Sequence, residues 1–199
     1  MHTLEQLRRG ELAGLRRLDL AADLTEFPDE IFALADSLEV LNLSGNRLSR
    51  LPDDLPRLKN LKVVFCSENP FTELPEVLGE CPRLEMVGFK ACRIERVAGA
   101  ALPPQLRWLI LTDNRIARLP DALGQRPRLQ KLMLSGNRLS ALPDSLADAA
   151  TWNCYDWPPT ASRRCRLARR AAAPELAGVF RQPVQSLPRR PGHARLFPE

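Results

Sequence analysis

The chain has 199 residues and a formal net charge of +5, but its basic excess lies entirely in the last quarter. Residues 1–150 hold 20 Lys and Arg against 21 Asp and Glu, whereas residues 151–199 hold 9 Arg against 3 acids. This distribution excludes a uniformly basic domain, and a hydrophobic content of 44% excludes disorder of the whole chain. The chain therefore consists of a near-neutral body followed by a basic tail.

The chain shows no segment that would take it into or across a membrane. No apolar run approaches the ~18 residues that a spanning helix needs, and the first ten residues, MHTLEQLRRG, lack the apolar stretch of a secretory signal. Five cysteines without CxxC spacing give no disulfide framework. We therefore expect a cytoplasmic protein with no membrane partner.

Residues 1–14 predict an N-terminal capping helix. The run Thr3-Leu4-Glu5-Gln6 has the pattern of a capping box, with Thr3 as the N-cap and Gln6 three residues later. On such a helix, Leu4, Leu7 and Leu12 would cover the open edge of the structure that follows.

A repeated segment then occupies residues 15–150. The run LEVLNLSGNRLSRLP from Leu38 recurs in variant form, and the six copies start at 15, 38, 61, 84, 106 and 129, which gives a period of 23 with a single 22. The pattern LxxLxLxxNxLxxLP resembles the leucine-rich repeat family, in particular the bacterial arrays that precede protein-kinase-like domains. The resemblance covers residues 15–148 and implies an α/β repeat solenoid, a horseshoe with a parallel concave β-sheet and short convex helices.

Each copy is consistent with that fold on physical grounds. Alternating leucines such as Leu41 and Leu43 have the period of a strand with one buried side, which a single copy cannot bury alone. In the family, an asparagine after the strand bonds the backbone of the turn, which implies structural roles for Asn46, Asn69, Asn114 and Asn137. Asp23 and Cys92 hold the same slot, and we expect them to serve it less well.

A proline followed by an acid ends most copies and predicts a short convex helix, because proline suits the first helical turn and an acid there suits the helix dipole. The residues expected to point inward from these helices are Ile31, Leu55, Leu78, Leu123 and Leu146. The copy from Leu84 has Val97-Ala98-Gly99 instead, so we expect an irregular connection there.

Residues 151–199 form an irregular tail rich in Arg and Pro, where the repeat stops. A seventh copy should begin at 152, but the chain reads TWNCYDWPPTASRRCR from Thr151. One legal coding of that segment, read from its third base, gives LELLRLAANRLEALP. One hypothesis is therefore that the tail is an out-of-frame translation of further repeats, and an intact reading frame across codon 150 in the resequenced gene would contradict it.

A second interpretation is a genuine basic tail that binds nucleic acid or an acidic partner. Trp152, Tyr155 and Trp157 would then stack on bases. Under both interpretations the tail lacks a leucine ladder, so we expect 151–199 to be disordered and the last repeat to lack a C-terminal cap. Nucleic acid is the less favoured partner.

No catalytic constellation emerges, and we expect neither a metal site nor a cofactor. His2 and His193 lie at opposite ends, and Cys66, Cys81 and Cys92 fit packing positions. The chain has no phosphate-binding glycine motif and no kinase motif. Cys154-Tyr155-Asp156 has the Cys-x-Asp spelling of bacterial leucine-rich ubiquitin ligases, but 49 residues are too few for their catalytic domain. A detached regulatory array of such a ligase or of a kinase is the alternative function.

The concave strand positions point instead to partner binding. Aligning the copies places eight side chains on neighbouring strands of one face, namely Val40, Val63, Phe65, Met86, Trp108, Ile110, Lys131 and Met133. Contiguous exposed apolar area of this kind favours a protein or peptide ligand, with Trp108 and Phe65 as the expected hot spots. Gly88 is expected to leave a dent between Phe65 and Ile110. The sequence thus predicts a non-catalytic binding module of unknown oligomeric state.

Overall fold

The computed structural model describes residues 2–147 and 153–155, and its organising element is one parallel sheet. Each strand pairs only with its neighbours in chain order. The seven strands are β1 (Arg17–Asp19), β2 (Val40–Asn42), β3 (Val63–Phe65), β4 (Met86–Gly88), β5 (Trp108–Ile110), β6 (Lys131–Met133) and β7 (Asn153–Tyr155). Strand order that follows chain order is the topology of a solenoid, in which each repeat contacts only the next.

The N-terminal cap is shorter than predicted. Helix α1 covers Leu4–Arg8 only, and its capping box forms as expected between Thr3 and Gln6. Gly10 and Gly14 then take positive φ angles of 71° and 78°, a left-handed conformation that ends the helix well before residue 14. Leu7 is nonetheless buried, and Leu4 and Leu12 pack against the core, so the segment does cover the first repeat.

The convex side is built of short 3₁₀ helices whose inward residues are those expected from the sequence. The helices are Asp29–Leu34, Leu55–Arg57, Glu76–Glu80, Gly99–Ala101, Asp121–Leu123 and Asp144–Ala147. Ile31, Leu55, Leu78, Leu123 and Leu146 are all at most 1% exposed. They meet the buried leucines of the strands, so one continuous core runs between sheet and convex layer.

The expectation of an irregular connection in the copy from Leu84 was wrong. Gly99–Ala101 forms a 3₁₀ helix like its neighbours despite the missing proline and acid. The layer packs so closely here that a Cβ on Gly79 would lie 1.7 Å from the carbonyl oxygen of Ala100. Backbone contact at Gly79 and burial of Ala101 therefore replace the usual leucine packing.

The asparagines after the strands connect successive repeats. The side-chain nitrogen of Asn114 donates to the carbonyls of Leu111 in its own repeat (2.9 Å) and of Phe89 in the preceding one (2.7 Å). Its side-chain oxygen accepts from the backbone nitrogen of Ile94, 3.0 Å away. Asn46, Asn69 and Asn137 make the equivalent bonds. Each amide thus satisfies buried backbone groups on two repeats at once.

The two substitutes in this slot behave differently. Cys92 donates weakly from its thiol to the carbonyl of Cys66 in the preceding repeat, at 3.4 Å, but a thiol offers no strong acceptor. Asp23 does not serve the turn, contrary to expectation. Its φ is 53°, and its exposed carboxylate lies 3.4 Å from Arg47. Asn46 of the next repeat bonds this turn instead, through the backbone nitrogens of Ala22 and Leu24.

The tail begins with a strand that the sequence pattern did not predict. In β7, Cys154 pairs with Leu132 and Tyr155 pairs with Met133, so residues 153–155 continue the sheet in register. The prediction of an irregular segment from 151 onward is therefore wrong at these three residues, because parallel backbone pairing does not require leucines. The rest of the predicted tail lies outside the described residues.

We predict that Asn114→Ala destabilises the protein by about 3 kcal/mol, because the bonds donated to backbone carbonyls are lost and the Ile94 amide loses its acceptor. The measurement is the urea midpoint of unfolding. Ser49→Ala, at an exposed position, is the control and should leave that midpoint unchanged. Equal midpoints for all three proteins would contradict the role of the amide.

We predict the opposite effect for Cys92→Asn, which restores the amide to the slot. An asparagine here can both donate to the Cys66 carbonyl and accept from the backbone of the preceding turn, and this should raise the free energy of unfolding by about 1 kcal/mol. Urea unfolding measures the change. A destabilised variant would show that the slot in this repeat is too narrow for an amide.

Candidate binding face

The concave surface consists of two rows of side chains that lie side by side across the strands. In one row, Val40, Val63, Met86, Trp108 and Lys131 pair in sequence from β2 to β6. In the other row, Phe65 pairs with Gly88, Gly88 with Ile110, and Ile110 with Met133. Adjacent strands are ~4.8 Å apart, so the predicted site residues are brought together as neighbours.

These residues are half-buried rather than fully exposed. We call the six apolar ones that are contiguous across β3 to β6 the apolar strip, and they are Val63, Phe65, Met86, Trp108, Ile110 and Met133. Lys131, the charged member of the predicted set, lies over the Trp108 ring, with its Nζ 4.0 Å from the ring centre. A cation above an indole face is attracted by the ring quadrupole, so this contact favours the observed position of Trp108.

The expected dent at Gly88 is not present, because the Phe65 ring fills it. A Cβ on Gly88 would lie 2.4 Å from Cδ1 of Phe65, and Gly88 itself is buried. The glycine therefore allows the ring to lie flat across the neighbouring strand. The strip is consequently smoother than expected at this point.

One small depression does open beside the strip, between β3 and β5. It has a volume of about 110 Å³ and is lined by Val63, Met86, Trp108 and the charged pair Glu85 and Arg107. Apolar walls with one ion pair at the rim suit a single apolar side chain of a partner.

A ladder of charges along the start of the strands was missed by the sequence reasoning. Glu39 accepts from Arg16 at 2.5 Å and from Lys62 at 3.1 Å, on the two repeats beside it. Further along, Arg107 lies 3.3 Å from Glu85 and donates to Gln130 at 3.1 Å. All these residues occupy the second position of the repeat, so the ladder is visible in the sequence.

The N-terminal end of the concave face is polar and internally satisfied. Arg17 donates two hydrogen bonds to Asp19, at 2.7 and 2.8 Å, and Asn42 donates a third at 2.9 Å. The bonds from Arg17, aided by the one from Asn42, lower the pKa of Asp19 from 3.8 to about 2. His2 accepts from the Asp19 backbone at 3.1 Å, so it extends the edge of β1.

The buried cysteines are packing residues in unreactive settings. Burial raises the pKa of Cys81 to about 12 and also raises the pKa values of Cys66 and Cys92, which disfavours the reactive thiolate. Cys154 holds the register position of the buried Leu132. Within residues 2–147 and 153–155, no group of His, Cys, Asp and Glu residues has the arrangement of a metal site. No helix in that part of the chain is both long and apolar enough to cross a membrane.

Comparison with known families agrees with this architecture. A model described as leucine-rich repeats in two copies matches residues 36–80, and a single leucine-rich repeat model matches residues 128–149. The chain carries leucine-rich repeats. A probable inactive serine/threonine-protein kinase of Dictyostelium discoideum, roco10, is 32% identical over 116 residues, which are 53% of this chain and 4% of that protein. The leucine-rich-repeat chain thus spans only a small part of that relative.

Solved structures contain the same repeat fold. The leucine-rich repeat domain of the type III effector XopL superposes with a TM-score of 0.65 at 22% identity, over 75% of this chain and 54% of that one. The plant peptide hormone receptor RGFR1, solved in complex with RGF2, gives a TM-score of 0.58 at 28% identity, over 71% of this chain and 28% of that one.

We predict that acid unfolding reports on Asp19. Its pKa is lower in the folded chain than the ordinary value of 3.8, so its stabilising contribution is present above pH ~4 and is lost as the pH falls towards 2. Urea midpoints measured across this range should fall less steeply for Asp19→Asn than for the wild type. Identical slopes would show that the Arg17 pairing contributes nothing to folding.

Proposed function

We propose that this leucine-rich-repeat domain is a binding module that captures a protein or peptide ligand on its concave face. The observation that carries the proposal is the apolar strip, in which six apolar side chains from four adjacent strands lie half-exposed on one surface. Apolar and aromatic side chains with Met are enriched in the centres of protein interfaces. The plant receptor of the same fold, solved with RGF2, supports a peptide as one kind of ligand.

The two aromatic side chains of the apolar strip are also held in defined positions, which favours specific binding. Trp108 is held by Lys131, and Phe65 lies across Gly88, so both aromatic rings are pre-positioned. Pre-positioned aromatic groups lose little conformational freedom on binding, which favours affinity. The depression beside Trp108 provides a place for one partner side chain.

The finer parts of the proposal are a non-catalytic role and a cytoplasmic location. The raised pKa values of the buried thiols support the first, and the free buried cysteines fit the reducing environment of the second. A bacterial origin and a signalling role belong to the same proposal. The similarity to a kinase-named protein supports a second candidate, a regulatory array of a kinase-type enzyme, which the coding sequence beyond codon 199 would test.

We predict that Phe65→Ser combined with Trp108→Ser abolishes partner capture while the fold is kept, because both side chains are half-buried surface groups. Loss of two aromatic hot spots should weaken binding by at least about 30-fold. The measurement is capture of partners by immobilised wild-type and variant protein, with thermal unfolding as the check on folding.

Arg17→Ser combined with Asn42→Ser is the matched control, because it alters the same concave face at the other end of the sheet. This control should capture partners as the wild type does. Unchanged capture by the Phe65 and Trp108 variant would refute the concave site.

A further inference from the structure

The near-neutral repeat body carries an arginine at one recurring position. The residue that follows the asparagine slot is arginine in four of the five complete repeats, namely Arg47, Arg93, Arg115 and Arg138. Acids lie in the first turns of the convex 3₁₀ helices, as at Asp29, Glu76 and Asp121, and also beside the arginines, as at Glu95 and Asp113. The regular feature is therefore the arginine that recurs at one position of the repeat.

Three of these arginines stack on consecutive repeats and form what we call the arginine edge, which consists of Arg93, Arg115 and Arg138. Their backbone nitrogens donate to the carbonyls of Phe71, Ile94 and Ile116 in the preceding repeats, at 3.0, 2.8 and 2.9 Å. The arginines are thus spaced by one repeat, close to the ~4.8 Å separation of hydrogen-bonded strands.

Only one of the three arginines of the arginine edge forms an ion pair within residues 2–147. Arg115 lies 3.7 Å from Glu95, and both side chains are about half-exposed. Arg93 and Arg138 form no ion pair with any acid in residues 2–147, and the same holds for Arg118 nearby. Like charges at this spacing repel each other, so an anion that bridges them would relieve the repulsion.

The occupant is not the chain's own tail, since residues 151–199 hold 9 Arg against 3 acids and have the same sign of charge. The arginine edge instead adjoins the apolar strip. Each arginine lies five residues after the end of β4, β5 or β6, the strands that carry Met86, Trp108, Ile110 and Met133. One ligand can therefore meet both surfaces, and a ligand with apolar side chains is a polypeptide rather than a nucleic acid.

We propose that the partner of the concave face is an acidic, apolar peptide segment, whose carboxylates pair with the arginine edge while its apolar side chains cover the strip. Arginine suits this role because its planar guanidinium binds a carboxylate through two parallel hydrogen bonds. This inference rests on the proposed function and adds the chemistry of the ligand to it.

The test uses a fluorescein-labelled synthetic peptide of alternating Glu and Leu, with binding to the full chain followed by fluorescence anisotropy. Arg93→Gln combined with Arg138→Gln should weaken binding about tenfold. Arg83→Gln combined with Arg128→Gln removes the same charge before the strands and should leave the affinity within about twofold. Added salt should weaken the wild-type complex, because the contacts are exposed.

Three results would overturn the inference. They are no binding of the Glu and Leu peptide by the wild type, equal binding of a Lys and Leu peptide, and equally tight, arginine-dependent binding of an oligothymidylate. The last would assign the edge to nucleic acid.

Different results would overturn the concave binding site and the acidic ligand. A cellular partner that is lost with the Phe65 and Trp108 variant but retained by the Arg93 and Arg138 variant overturns the acidic ligand and leaves the concave site standing. Retention by the Phe65 and Trp108 variant overturns the concave site itself.

Discussion

The structure depends on the asparagine amides that follow β2, β3, β5 and β6. In a solenoid each repeat contacts only its neighbours. Its free energy of unfolding is therefore approximately the sum of the stabilities of the single repeats and of the interfaces between them. In the sharp turn after a strand, some backbone N–H and C=O groups have no partner within the turn. Burying such groups unpaired would be costly. Asn114 satisfies such groups on its own repeat and on the preceding one, and in doing so it sets the register of both. The shared register aligns the concave rows.

The arrangement of the concave face is a consequence of that register. Once Leu41, Val64 and their equivalents are committed to the core, the residues on either side of them must face the concave surface, where packing no longer decides their identity. Those positions are then free to carry Phe65 and Trp108. The apolar strip and the arginine edge thus belong to the same repeats because both follow from one chain path.

Much of this was predictable because a repeat multiplies a weak local signal. Six copies in phase predicted the parallel sheet, the inward convex residues and the neighbours on the concave face, and strand pairing and burial confirm these. One error occurred where a single repeat departs from the pattern. Asp23 fails as a substitute because the first copy has one residue fewer before Leu24, so the carboxylate faces solvent.

Other features could not be derived from the pattern, because they depend on three-dimensional contacts between repeats. The position of the Phe65 ring over Gly88 can be known only from the coordinates of two neighbouring strands. The contact of Lys131 with the Trp108 ring likewise depends on the rotamer of the lysine. The strand at Asn153–Tyr155 forms through backbone pairing, which the leucine pattern does not indicate. The charge ladder, in contrast, was readable from the second position of each copy.

The one-to-one pairing of the strands has a consequence for how such a surface changes over time. Each strand contributes one row of outward residues, which we call a rung. These residues contact only the rungs of the two neighbouring strands. Substitutions two or more rungs apart, about 10 Å, should therefore combine additively in their effects on binding. New ligand preferences can accordingly arise through single steps on one rung, while the buried leucines beneath stay untouched.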